Sequence, residues 1–258
     1  MLKRLNLVIL IVCLIFAFSA PGWCQLATES NAAQEACCRN SLARGVARTL
    51  DDWAQLGRYA ADDARLEAQP AQAGRIVFMG DSITDFWSLA TYFPGKPYVN
   101  RGISGQTTPQ MLVRMFPDVI DLHPAAVIIL AGTNDIAGNT GPETAKMIEE
   151  NFQAMTELAQ AHGIKVILCS LTPVSDYTKY KQTAHRPPAD IMEINQWIRA
   201  YATKAHAVFA DYYAATVDNH GMYTEAYSRD GLHPNDQGYK VLAPVAEAAI
   251  EKALEGSQ

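Results

Sequence analysis

What this 258-residue sequence has little of narrows it first. Cysteine is scarce and poorly spaced. Of five cysteines, Cys13 and Cys24 fall in or at the edge of an N-terminal apolar run, leaving Cys37, Cys38 and Cys169. Three is an odd number and the spacing fits no metal motif, which excludes a disulfide-built scaffold and a zinc module. Cys169 lies in an apolar run and reads as a small buried hydrophobe. Basic clusters are also missing. The formal charge is −6, and Lys and Arg nowhere form a patch, which argues against nucleic acid and anionic membrane surfaces as partners. There is no internal repeat and no low-complexity tract. The apolar run 7–18 is short for a bilayer span.

What is present is globular: 49% hydrophobic and 19% charged residues, in a chain long enough for one sizeable core. Lys3 and Arg4 precede the apolar run, and Gly22 and Cys24 are small residues placed for cleavage before Gln25, with Ala27 as a second site. Residues 1–24 are expected to be a signal peptide, the protein to be exported (periplasmic or secreted), and no stable membrane insertion to remain after cleavage. Bulky Trp23 disfavours Cys24 as a lipid-modified residue. Residues 25–72 read as a flexible lead-in and a helical extension. The first part has no apolar period, whereas Val46, Leu50, Trp53 and Leu56 recur at helical spacing and predict a helix over 41–67, stopped by Pro70. Residues 73–258 form the main domain.

In that domain strands and helices alternate. Short segments at 75–79, 98–101, 125–130, 164–171 and 207–210, most of them apolar, predict five strands. Between them, Leu112 and Met115, then Ile148, Phe152, Met155 and Ala159, then Ile191, Ile194, Ile198 and Tyr201 predict helices. Pro117 is expected to kink or split the first of these, Pro142 to open the second and Gly163 to close it. A last helix starts at Asn235 or Asp236 and has to accommodate Pro244. The alternation predicts an α/β fold: a parallel sheet with helices on both faces, in three layers. The aperiodic stretch 172–188, with Tyr177, Tyr180, His185 and Arg186, is too long for a plain connection and is expected to form a pocket wall.

In a parallel sheet the carboxyl ends of the strands share one rim, where ligands bind. This rim collects Asp81-Ser82 after the first strand and Asn100 with Gly102-Ile103-Ser104-Gly105 after the second. It also collects Gly132-Thr133-Asn134-Asp135 after the third, and Asp230-Gly231-Leu232-His233-Pro234 beyond the fifth. A Ser, a His, a carboxylate, a Gly-rich turn and an Asn are the parts of acyl transfer. Ser82 needs a base to take its proton, and histidine's ordinary pKa of about 6.5 suits His233 to that task. Asp230, three residues earlier, falls on the same side of a loop and can orient the ring. The developing oxyanion needs donors in place, which the amides of Ser82 and Gly105 and the side chain of Asn134 can supply. Asp85, Asp135, His123, His162, His185, His206 and His220 join this set by no spacing and read as structural or exposed. Asp230 and His233 lack a third ligand, so no metal is expected, and the pattern calls for no cofactor.

Together these clusters resemble the SGNH hydrolases, the GDSL-type esterase/lipase superfamily. Gly80-Asp81-Ser82-Ile83 is similar to its first block, Asn100-Arg101-Gly102-Ile103-Ser104-Gly105 to its second, Gly132-Thr133-Asn134-Asp135 to its third and Asp230-Gly231-Leu232-His233-Pro234 to its fifth. Gly105-Gln106-Thr107-Thr108 further resembles the branch that includes the catalytic subunits of intracellular platelet-activating-factor acetylhydrolase. The resemblance implies a flavodoxin-like sheet of order 2-1-3-4-5. It implies Ser82 as nucleophile, His233 as base and Asp230 as its orienter, with the oxyanion held by the Ser82 and Gly105 amides and Asn134. Gly105 is chosen over Gly102 because the donor glycine closes the block in the family. The Gly-x-Ser-x-Gly elbow is absent, which argues against the α/β-hydrolase fold.

The reading is an exported serine esterase acting on a small-molecule or glycan ester. A polar wall at 172–188 and the tyrosines Tyr177, Tyr180, Tyr223 and Tyr227 point to a short acyl group, acetyl above all, on a carbohydrate or similar polar alcohol. The alternatives are a lysophospholipase or thioesterase, and a non-catalytic glycan-binding protein on the same fold.

Overall fold

The computed structural model describes residues 50–70 and 72–255. The chain divides into two units, Met1–Asp51 and Asp52–Gln258. The expected signal peptide, the lead-in, Cys37, Cys38 and the start of the expected helix over 41–67 lie outside the described residues.

The second unit is built on five strands: β1 (Ile76–Gly80), β2 (Tyr98–Gly102), β3 (Ala126–Leu130), β4 (Lys165–Cys169) and β5 (Val208–Ala210). Every pairing is parallel and the order is β2-β1-β3-β4-β5. The helices are α1 (Ala60–Glu67), α2 (Ser82–Asp85), α3 (Leu89–Tyr92), α4 (Thr108–Val113), α5 (Thr133–Ile136), α6 (Ala145–Ala161), α7 (Pro188–Lys204), α8 (Tyr212–Thr216) and α9 (Asp236–Glu255). β1 and β3 are buried throughout, so they read as unbroken apolar runs. Alternate residues still serve different layers. Val77, Met79, Val127 and Ile129 pack with Met111 of α4, Phe152 and Met155 of α6, and Ile194 and Ile198 of α7. Ile76, Phe78, Ile128 and Leu130 pack the other face against Trp87 and against Tyr239, Leu242 and Ile250 of α9. Each such fully buried side chain contributes about 1.5–3 kcal/mol.

Two local expectations are corrected and a third is refined. The helix over 41–67 is not continuous: among the described residues only Ala60–Glu67 is a long helical run, and 52–59 turns. The Asp52 carboxylate accepts from the amides of Leu56 (2.8 Å) and Gly57 (2.9 Å), and Gln55 sits at φ 56°. Such local side-chain bonds compete with the helix ladder. Pro142 does not open α6; Thr144 is the N-cap, accepting from the Met147 amide, and the helix begins at Ala145. The helical run is split at Pro117, as expected, α4 ending at Val113, but Pro117 is not in a plain break. It lies in a π-helical turn, Phe116–Ile120, whose wider bond runs from the Asp121 amide to the Phe116 carbonyl at 3.0 Å.

The segment 52–59 and α1 strap the loop after β2. Gln106 and Gln110 side chains donate to the carbonyls of Ala54 (2.8 Å) and Trp53 (2.6 Å), and the Tyr59 hydroxyl donates to Gly102 O at 2.5 Å. Arg101, buried, pairs with Asp63 and Asp62 of α1. Arg114, fully buried, pairs with Asp118 and donates to Gln106 Oε1 at 2.7 Å and Arg101 O at 3.1 Å. The loop bearing Gly105 is thus held from outside the sheet.

Candidate active site

The direction of the crossovers reverses between β1 and β3, and the loops after those strands flank the resulting crevice. β1 ends at Gly80, and Asp81 caps α2 by accepting from the Ile83 amide at 2.9 Å. That turn delivers Ser82. Its Oγ lies 2.9 Å from His233 Nε2. His233 Nδ1 lies 2.8 Å from Asp230 Oδ2. An ionised carboxylate only accepts, so Nδ1 carries the proton and Nε2 is free to accept from the Ser82 hydroxyl.

The segment 230–233 is built to present that pair. Asp230 Oδ1 accepts from the amides of Leu232 (3.0 Å) and His233 (2.8 Å). Gly231 sits at φ +84°, and a Cβ there would lie 2.2 Å from the Ser175 carbonyl oxygen, so only glycine closes the turn. Burial pushes the Asp230 carboxyl up, but the His233 amide and ring, with the Leu232 amide, outweigh it and hold it below its ordinary value. The exposed Phe86 ring leans on the His233 ring, centroids 5.4 Å apart.

Gly105 lies on the loop after β2 and Asn134 in α5, directly after β3; β2 and β3 are the two neighbours of β1. Gly105 has φ +82°, open to glycine, and its carbonyl accepts from Asn139 Nδ2 at 2.9 Å. Asn134 is buried; its Nδ2 donates to the Gln106 carbonyl at 3.0 Å and its Oδ1 accepts from Arg186 Nη2 at 3.1 Å. Asp81 is wholly buried, and burial raises its carboxyl to about 6 against the pull of the Ile83 amide and the His233 and Arg186 charges. Asp135 is buried behind Asn134 and accepts from the Thr108 amide at 2.8 Å, tying α5 to α4; Asp85 accepts from Ser104 Oγ at 2.6 Å. Among the described residues neither carboxyl hydrogen-bonds to the Ser82 or His233 side chain, in keeping with a structural reading.

The stretch 172–188 is less of a wall than the sequence suggests. Tyr180 and His185 are exposed, and Arg186 turns inward. Tyr223 is buried and cannot stack on a ligand. The groove that opens beside His233, about 930 Å³, is instead lined by Phe86, Tyr92, Tyr239 and Ala243, with Arg229 and Lys240 at its rim. Periodicity places Tyr239 on a helix face, whereas Phe86 and Tyr92 carry no signal beyond being aromatic near Ser82. Among the described residues no group of three or more His, Cys, Asp or Glu side chains could hold a metal.

A family model described as GDSL-like Lipase/Acylhydrolase matches residues 78–241, more than half of the chain. The chain is similar to a crystal structure of a candidate acylhydrolase from Bacteroides fragilis, with 40% identity and a TM-score of 0.73, covering 79% of this chain and 99% of that one. It is also similar to a structure from Streptococcus pneumoniae described as a candidate platelet activating factor (26% identity, TM-score 0.66, 80% of this chain and 99% of that one). An uncharacterized lipoprotein of Bacillus subtilis, YqeF, is 31% identical over 151 residues, 54% of this chain. The match spans 60% of that curated relative's length.

Proposed function

Because the chain belongs to the GDSL-like lipase/acylhydrolase family and is thereby an ester hydrolase, we propose that it cleaves short-chain esters, acetyl above all, of a carbohydrate or similar polar alcohol, with Ser82 as nucleophile. The observation that carries this reading is the unbroken relay from Ser82 Oγ through His233 to Asp230 Oδ2, at 2.9 and 2.8 Å. His233 Nε2 takes the hydroxyl proton as Ser82 Oγ bonds to the ester carbon. The carbonyl oxygen takes the negative charge and is met by the Ser82 and Gly105 amides and Asn134 Nδ2. Collapse breaks the bond to the alcohol oxygen, which receives the proton from His233. Water then adds to the acyl-Ser82, giving its proton to His233, and the carboxylic acid leaves as Ser82 is restored.

The leaving oxygen has to come within reach of His233, and the groove begins there, so the alcohol belongs in it. Its volume lies within the range of small-ligand sites, about 300–1,000 Å³. The exposed Phe86 ring and the partly exposed Tyr92 ring, with Ser88, Thr91, Arg229, Asp236 and Lys240 also lining the groove, suit a hydroxyl-rich ring. A second reading, a lysophospholipase or thioesterase, draws on the apolar part of the same groove, where Phe86 is 57% exposed. No described helix is long and apolar enough to cross a membrane. The N-terminal charge-then-apolar pattern supports export, and a lipoprotein relative is consistent with it.

A fluorophosphonate probe tests the nucleophile: it labels the wild type and leaves Ser82→Ala unlabelled, with an unchanged circular dichroism spectrum. Labelling that survives the substitution moves the nucleophile elsewhere. The substrate is tested by kcat/KM on p-nitrophenyl esters from acetate to palmitate, beside acetylated xylan and pectin fragments. A maximum at the short end with acetate release is expected; a maximum at long chains without acetate release supports the second reading.

A further inference from the structure

A buried asparagine amide has two orientations related by a half-turn, with oxygen and nitrogen exchanged, and only one of them aims N–H groups at a given point. For Asn134 the choice is made by its neighbours. Nδ2 faces the Gln106 carbonyl, which can only accept, and Oδ1 faces the Arg186 guanidinium, which can only donate. The exchanged orientation would set oxygen against oxygen and N–H against N–H. The second N–H of Nδ2 has no described acceptor and remains for a ligand.

We infer that Arg186 is a positioning residue for the oxyanion site, setting the Asn134 amide and the start of α5 that carries it. The inference rests on the ester-hydrolase roles proposed above for Ser82, His233 and Asn134. Arg186 stands on the aperiodic stretch 172–188, yet it is only 9% exposed. Its Nε donates to Thr133 O (3.1 Å) and Oγ1 (3.2 Å), its Nη2 to Asn134 Oδ1, and its Nη1 to Gln182 Oε1 (3.2 Å). One planar group therefore holds the backbone before Asn134, the side chain of Asn134, and its own loop. A lysine ammonium, a point charge without a fork, cannot span these acceptors in the same way. The cation on Oδ1 also draws electron density from the amide and makes Nδ2–H a stronger donor where the oxyanion forms. The long stretch after β4 thereby has a use that its sequence does not announce: it carries the clamp for a residue 52 positions away.

The experiment is a set of steady-state assays on p-nitrophenyl acetate with Arg186→Met and Arg186→Lys, each made in the wild type and in Asn134→Ala. A donor left in place but misaimed costs roughly tenfold to a hundredfold in turnover. Arg186→Met is expected to lower kcat by that amount with KM within about twofold, and Arg186→Lys to recover part of it. In the Asn134→Ala background both substitutions are expected to leave kcat unchanged, because the amide they act through is gone. A full, additive loss in that background, or a loss confined to KM, overturns the inference in favour of a purely structural loop anchor. Should Arg186→Met fail to fold, Arg186→Lys keeps the charge and stem and is read by the same two criteria. Ser82→Ala separates the levels: turnover that survives it defeats the hydrolase roles themselves, whereas turnover lost with Ser82 but untouched by Arg186 defeats this inference alone.

Discussion

At the scale of single residues, the three proposed oxyanion donors differ in whether a substitution can remove them. The Ser82 and Gly105 amides cannot be removed by a side-chain change, but the Asn134 amide can. Asn134→Ala is expected to lower kcat by about 10²–10³, the usual loss for one oxyanion donor, with KM nearly unchanged. Steady-state kinetics on p-nitrophenyl acetate check this, and a loss carried by KM instead marks Asn134 as a binder of the ground state. Ser82, His233, Asp230, Gly105 and Asn134 are legible as candidates because each is a distinctive residue type placed just after a strand or at fixed spacing from another member. Arg186 is visible only as a polar residue in an aperiodic stretch. Its partners Thr133 and Asn134 are far away in sequence, and a hydrogen bond closed by the fold leaves no local period or spacing. Tyr223 misleads the other way: an aromatic near Asp230 suggests a ligand platform, and packing buries it.

At the scale of elements, the strap formed by 52–59 and α1 shows what amphipathic spacing can and cannot reveal. Val46, Leu50, Trp53 and Leu56 keep a helical period, but Asp52 bonds its own downstream amides, and Trp53 and Leu56 end exposed. Period reports that a segment has a packing face; it does not weigh that face against a local turn. What the strap does is brace the loop after β2 through a buried polar network, in which Arg114 joins Asp118, Gln106 and the Arg101 carbonyl. Removing one partner of a buried ion pair leaves the other charged and desolvated, at a cost of about 3–5 kcal/mol. Arg114→Met is therefore expected to lose stability on that order, read as a lowered midpoint in urea unfolding at unchanged slope. A loss below about 1 kcal/mol would show that Asp118 finds another partner or water. Because Gln106 also accepts from Asn134, the same variant is expected to lower turnover as well as stability.

At the scale of the whole molecule, the architecture is the most legible feature. Five short segments, most of them apolar, spaced by helical stripes admit few arrangements other than a parallel sheet covered on both faces, and the observed strands fall on those segments to within a residue or two at their ends. Strand order is a different matter, because alternation alone does not say where the crossovers reverse; that comes from the family resemblance and agrees with the structure. The ionisation of the folded state is not legible at all, since it depends on burial. Burial raises three carboxyls: Asp63 to about 6, Asp81 to about 6 and Asp135 to about 7, the last with Glu143 facing it. Asp63 Oδ2, Asp81 Oδ2 and Asp135 Oδ2 have no hydrogen-bond donor among the described residues. A carboxyl whose folded pKa exceeds its ordinary value of 3.8 binds its proton more tightly when folded. Between the two values the native state holds more protons than the unfolded chain, so stability falls as pH rises and levels off above the folded value. The fold is therefore expected to lose stability from about pH 4 to about pH 7 through these groups. Asp230, held low, works in the opposite sense only below its ordinary range. Thermal midpoints measured from pH 5 to pH 8 are expected to decline and then flatten, by about 2–4 °C for each kcal/mol lost. Asp135→Asn keeps an acceptor for the Thr108 amide and turns a donor toward Glu143, so it is expected to shrink the decline and raise the midpoint at pH 8. A midpoint that climbs steadily across that range, or a decline unaltered by Asp135→Asn, would show that these carboxyls stay ionised in the fold.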